Sequence, residues 1–219
     1  MDGLLKNHMN FFSENSSAEN EVNAEAAAFK EKRTQKKGES WADLLKFAVI
    51  ALIIVVPIRM FIAKPFVVSG SSMVPTFENG DYLIVDQLTY KFEDPARGDV
   101  VIFRYPNDRT KFYIKRIIGL PGDTIKSEDG KVIIYNKHYP DGLFLDEPYL
   151  ENISLDNFTV TLREKYFVMG DNRPQSSDSR EWGPLEESYI IGRPVLRLHP
   201  VQNINFFPGE YHFIDSPQQ

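Results

Sequence analysis

The most apolar window of the 219-residue chain is Phe47 to Ile58, FAVIALIIVVPI, twelve residues without a charge. It constrains the architecture more than any other stretch, because such a run must be removed from water into a core or into lipid. Arg59 interrupts it, and Met60-Phe61-Ile62-Ala63 continues it. A helix needs roughly 20 residues to cross a bilayer. Ala42 to Ala63 supplies 22, with Lys46 and Arg59 near the ends, where cationic side chains snorkel to headgroups, and Asp43 at the start. Pro57 would kink the helix late, where the span is already leaving the bilayer. A buried core helix is the competing reading, since apolar runs of about 10–14 residues favour it. A cleaved signal peptide is a weaker one, because 46 residues precede the run and no small-x-small site follows closely. Segment 41–63 is therefore expected to be one transmembrane helix.

The flanks set its direction. Residues 1–40 hold seven acids and six bases, with apolar content too scattered for a core, and are expected to be a disordered or weakly helical tail. Its end is basic: Lys30 to Lys37 carries five positive charges and one negative. Basic residues beside a span stay in the cytoplasm. The C-terminal part then lies outside the cell membrane, a single-pass type II arrangement.

Residues 64–219 hold 17 bases and 23 acids, a net charge equal to the whole chain's -6. That acidity argues against nucleic-acid binding. The chain has no Cys, which excludes disulfides, thiolate catalysis and Cys-based zinc or iron–sulfur sites. His8, His138, His199 and His212 are scattered, with no H-x-x-x-H pair for a zinc hydrolase. Short β-branched and aromatic runs recur at Tyr82–Val85, Val100–Phe103, Lys131–Tyr135, Phe158–Leu162 and Tyr166–Met169. Between them lie turn signals, Asn79-Gly80-Asp81, Arg97-Gly98-Asp99, Pro121-Gly122-Asp123 and Asp129-Gly130. The pattern predicts a mainly β, antiparallel domain over 64–219.

Three clusters in that domain carry possible chemistry. Val68-Ser69-Gly70-Ser71-Ser72-Met73-Val74-Pro75-Thr76 reads plainly as a polar turn. It is no nucleophile elbow, having Val74 where a second Gly is needed, and no S-x-x-K box. Tyr113 to Asp123 places Lys115 in an apolar strand, with Tyr113, Lys115 and Ile117 on one face and Ile114, Arg116 and Ile118 on the other. Lys115 is either an edge-strand cation that blunts aggregation or a desolvated amine with a lowered pKa, fit to act as a general base. Met169 to Gly183 packs two Asp, two Arg and three Ser between Asp171 and Arg180. That segment is either a solvated loop or an ordered salt-bridge network of Arg forks on carboxylates.

Taken in order, these clusters resemble the bacterial type I signal peptidases, membrane-bound serine proteases with a Ser/Lys dyad. Ser69 to Thr76 is similar to the family's nucleophile box, and Arg97 to Phe103 to its Gly-Asp strand box. Tyr113 to Asp123 is similar to its lysine box, and Gly170 to Gly183 to its Gly-Asp-Asn-Arg box. The resemblance implies that Ser72 is the nucleophile, Lys115 the general base and Ser176 the residue that orients the lysine. It implies supporting roles for Arg116, Asp171, Asp178 and Arg180. Gly70 stands where some members have a Ser whose hydroxyl is a second oxyanion donor, so the resemblance implies that backbone N–H groups, chiefly that of Ser72 with Ser71 as a substitute donor, take that task. Phe77 stands where Leu is frequent. Lys115 must then be wrapped in apolar side chains such as Tyr113 and Met73 to be unprotonated. The resemblance implies an acyl-enzyme route without metal or cofactor, and a monomer acting on secretory preproteins with small residues at positions -3 and -1. The extended peptide would pair with a strand edge such as Phe66-Val67-Val68. Residues 126–163 resemble the family's variable smaller β-subdomain. Two rivals remain: a Ser-His-Asp hydrolase using His138, His199 or His212, and a non-catalytic, membrane-tethered β-domain that binds secreted peptides.

Overall fold

A computed structural model of the chain describes residues 25, 27, 30, 41–53, 55 and 63–213. The tail apart from three helical positions, the basic cluster beyond Lys30, and the close of the apolar run with Pro57 and Arg59 lie outside the described residues. The chain divides into two compact units between Val56 and Pro57. In the first, residues 41–53 are helical and leave Trp41, Leu44, Leu45, Phe47, Ile50, Leu52 and Ile53 exposed. Among the described residues no helix is long and apolar enough to cross a membrane, and the close of the expected span lies outside them.

The second unit is mainly β with every strand pairing antiparallel, and among the described residues it adds only a four-residue helix at Ser179–Trp182 and short 3-10 turns. Its strands are β1 (Ala63–Val67), β2 (Tyr82–Asp86), β3 (Val100–Tyr105), β4 (Asp108–Gly119), β5 (Thr124–Glu128) and β6 (Lys131–Tyr135). They continue with β7 (Leu143–Phe144), β8 (Phe158–Thr161), β9 (Phe167–Met169), β10 (Ile190–His199) and β11 (Asn205–Phe206). A seven-stranded sheet runs β1-β2-β10-β3-β4-β9, with β11 beside β10, and a four-stranded sheet runs β7-β6-β5-β8. The mainly β class expected from the strand runs is what the chain adopts.

Strand β3 shows why the core divides. Val100 and Ile102 point into a cluster with Met73, Phe77, Leu83 and Val85. Val101 and Phe103 point into another with Ile117, Tyr166, Val168 and Leu185. Successive side chains leave opposite faces of a strand, so an unbroken apolar run means burial on both. A third cluster, with Ile118, Ile125, Ile134, Leu162 and Phe167, sits under the four-stranded sheet. The β3–β4 register sets Lys115 opposite Val101 and Arg116 opposite Val100, between these clusters.

Candidate active site

The turn after β1 is held from below. Met73 and Phe77 are fully buried, the Phe77 N–H donates to Met73 O at 2.8 Å, and the Val74 N–H donates to Ser71 O at 3.2 Å. This one-turn structure leaves Ser72 half-buried at the surface of its own core. Lys115 comes from the middle of β4, where its pairing with Val101 places it deep in the sheet at 3% exposure. The two side chains meet: Lys115 Nζ lies 2.5 Å from Ser72 Oγ and donates to Ile114 O at 3.0 Å. The Tyr113 ring packs 5.5 Å from Nζ, on the face predicted by strand alternation. Desolvation by burial lowers the Lys115 amine to about 8, against the opposing pull of Asp178 and Asp171 and with a smaller push from Arg180.

Two Arg forks frame the pair. Arg116 grips Asp171 with Nε to Oδ1 at 2.9 Å and Nη2 to Oδ2 at 2.7 Å, both side chains 1% exposed. Thr76 Oγ1 on the Ser72 turn donates to the same carboxylate at 2.5 Å. Arg180 grips Asp178 with Nε at 2.9 Å and Nη2 at 2.8 Å. Burial pushes the Asp178 carboxyl up, but Arg180 and the Gly170 N–H outweigh it and hold the group below its ordinary value. The salt-bridge reading of the 171–180 cluster is therefore the one realised.

Ser176 lies in the same loop, and the structure does not join it to Lys115. Its Oγ is buried without a well-formed hydrogen bond, although it sits near enough to the Asp178 carboxylate to favour its charge. Gly70 adopts φ +99 with open space beside it, and its N–H donates to Asn79 Oδ1 at 3.0 Å. Space would admit a side chain there, and the left-handed backbone opposes one. Ser71 Oγ donates to Gln175 Oε1 at 2.9 Å. The Ser72 N–H has no partner among the described residues.

Residue-by-residue sequence reading passed over four contributors. The Asn172 N–H donates to Ser72 O at 3.0 Å, and Asn172 Nδ2 to Ser71 O at 3.1 Å. With Gln175 and Thr76 these bonds tie the 170–175 loop to the Ser72 turn. Gly170 allows that approach: a Cβ there would lie 2.2 Å from Ser176 Oγ and 2.4 Å from Ser72 O. We expect Gly170→Ala to destabilise the fold by about 1–3 kcal/mol, the usual range for overpacking. A melting temperature equal to wild type would show that the turn yields freely. The signal for all four was their place inside the quoted boxes, with nothing in their chemistry to rank them.

An open groove of about 570 Å³ runs along Ser72 and Lys115, lined by Phe66, Val68, Leu83, Ile102, Tyr113 and Ile114 among others. No histidine lines it, and His138, His199 and His212 are exposed. The arrangement offers a hydroxyl, a buried amine with a lowered pKa and an unpaired N–H, beside an apolar trough. These are the parts acyl transfer requires.

The comparisons agree with the chemistry. The family model described as "Signal peptidase, peptidase S26" matches residues 41–199. The probable signal peptidase I-2 of Synechocystis sp. is 36% identical over 192 residues, 82% of this chain and 85% of its own. Signal peptidase I P of Bacillus subtilis subsp. natto is 35% identical over 185 residues, 78% of this chain and 96% of its own. A crystal structure of a signal peptidase I from Enterococcus faecalis V583 is 33% identical, covers 46% of this chain and 97% of its own, and has a TM-score of 0.40. From the family match and the extent of the sequence relatives, the chain belongs to the signal peptidases of peptidase family S26.

Proposed function

We propose that the chain removes signal peptides from exported preproteins at the outer face of the cytoplasmic membrane, with Ser72 as nucleophile and Lys115 as general base. The observation that carries this is the 2.5 Å approach of a buried Lys115 Nζ to Ser72 Oγ. A neutral amine at that distance takes the hydroxyl proton as Oγ attacks the scissile carbonyl. The Ser72 N–H donates to the developing oxyanion, and Ser71 supplies backbone rather than hydroxyl, since its Oγ is bonded to Gln175. Lys115 then returns the proton to the leaving amine, and a water that it activates hydrolyses the acyl-enzyme.

The substrate's extended backbone has an edge to join. The Val68 N–H donates to Asp81 O and Val68 O accepts from the Gly80 N–H, both at 2.9 Å. Strand alternation then turns the Val67 groups away from β2, to the free edge of β1. Shallow apolar walls at Phe66, Val68, Ile102 and Ile114 suit small side chains at -3 and -1. An anchor at 41–63, in a type II orientation, would hold the site where a cleavage region emerges from the bilayer.

The test is a pH profile of preprotein cleavage. Lys115 works only when unprotonated, and its amine is lowered to about 8. The rate constant kcat/KM should therefore rise through an apparent pKa near 8 and flatten above it. Activity that stays level well into the acid range would contradict a lysine base. A preprotein with a bulky residue at -1 should be cut at least about tenfold more slowly, as expected for a pocket that closes sterically.

A further inference from the structure

We infer that Glu147 is a positioning residue for the Ser72–Lys115 pair. It sits on the segment that follows β7, in the region of the smaller sheet, and it touches neither partner. Its carboxylate nevertheless links, through Arg173 and Tyr149, to both elements that carry them. On one side it forms a salt bridge with Arg173, the two side chains 6% and 3% exposed. Arg173 Nε donates to Gly170 O at 3.1 Å, and Gly170 is the residue pressed against Ser72 O. On the other side the Tyr149 hydroxyl donates to Glu147 Oε1 at 2.7 Å. The Tyr149 ring lies 4.0 Å from the Arg116 guanidinium, and Arg116 is the neighbour of Lys115 on β4.

The physical case is one of register. Ser72 and Lys115 are 43 residues apart, on a turn and on a strand, and their 2.5 Å contact survives only if both elements are fixed relative to each other. Arg116 and Arg173 are buried cations, and a buried cation is tolerated only with a partner and saturated donors. Asp171 serves Arg116, and Glu147 serves Arg173 while seating the ring that covers Arg116. Removing the Glu147 charge takes from Arg173 its paired carboxylate, leaving only the more distant Asp171 charge, and loosens the seat of Arg173 against Gly170 O. The Lys115 amine draws its lowered value from its own burial, with Asp178, Asp171 and Arg180 as neighbours, so it should stay where it is. The inference rests on the proposed Ser/Lys reading.

The experiment uses the full chain in detergent or membranes, a preprotein substrate, and active-site titration with a serine-reactive probe. Glu147→Gln keeps the size and the acceptor for Tyr149 and removes the charge. We expect kcat per titrated site to fall about tenfold or more, as misplacement by about an ångström does, with KM within about twofold and the alkaline rise of the pH profile unmoved. The double variant Glu147→Gln/Arg173→Gln should be no slower than the worse single variant, because the two act as a unit. Should Glu147→Gln leave no titratable sites, Tyr149→Phe carries the test, with an expected fall of about threefold per site. An unchanged kcat per site, with loss only of titratable fraction or melting temperature, assigns Glu147 to folding alone and overturns the inference. So does a change confined to KM. Ser72→Ala run alongside separates the two readings: cleavage retained there sinks the Ser/Lys pair itself, whereas dependence on Ser72 with an indifferent Glu147→Gln sinks only the positioning role.

Discussion

Ser72→Ala and Lys115→Ala should each reduce preprotein cleavage by at least about 10⁴-fold in kcat, and the pair together should lose little more, as members of one catalytic unit do. Lys115→Met adds a second, opposite reading. The drop of the amine from 10.5 to about 8 means that the folded state disfavours its charge by about 3 kcal/mol. The sign follows from proton counting: between about 8 and 10.5 the unfolded chain holds a proton that the folded chain has released. This cost is present in full below about 8 and fades as pH rises through 10.5. Lys115→Met, with no charge to bury, should therefore be inactive and melt higher than wild type at pH 7, the gain shrinking at alkaline pH. Calorimetry at the two pH values checks it. A stability loss at pH 7 would mean that the amine is solvated, and substantial cleavage by either alanine variant would remove the dyad.

That prediction draws on what the chain made legible and on what it did not. Strands β2, β3, β6, β8 and β9 coincide with apolar or alternating runs bounded by Gly and Asp, so their period announces them. Strand β10 has no such signal, since Gly192 and Pro194 interrupt Ile190–His199. Yet it is central, paired to both β2 and β3. Gly192 is there because β10 passes so close to β2 that a Cβ would lie 1.8 Å from Asp86 O. A breaker in the sequence is thus a fitting residue in the sheet. The site divides in the same way. Ser72, Lys115, Asp171, Asp178 and Arg180 lie in boxes whose order carried the resemblance. Glu147, Tyr149 and the Gly209 carbonyl that accepts from Arg116 reach the site only through tertiary packing. No spacing relates positions 147 or 209 to 116, so local pattern is silent on them. Met73 was expected as part of the lysine's apolar wrapping and is found in the core beneath the turn.

Asp171→Ala should be the most damaging change that leaves the dyad itself intact. The carboxylate takes both arms of the Arg116 fork and the Thr76 hydroxyl, so its loss strips the buried guanidinium of its counter-charge and the Ser72 turn of an anchor. Breaking a buried pair from one side costs about 3–5 kcal/mol, because the remaining charge is left uncompensated. For a domain of this size that corresponds to a melting temperature about 6–20 °C lower. Arg116 keeps its bonds to Gly98 O and Gly209 O at 2.8 and 2.7 Å, which soften the cost but supply no negative charge. The double variant Asp171→Ala/Arg116→Met removes the stranded cation and should recover a part of the stability, giving less than the sum of the single losses. Cleavage should not recover with it. Thr76 stays untethered, and the Lys115 neighbour no longer holds Gly98 and Gly209 together. Melting curves and kcat measured on the same three proteins separate the two effects. Full recovery of both in the double variant would reduce the Arg116–Asp171 pair to a matter of stability, and strict additivity of the single losses would mean that the fork is not the interaction that links them.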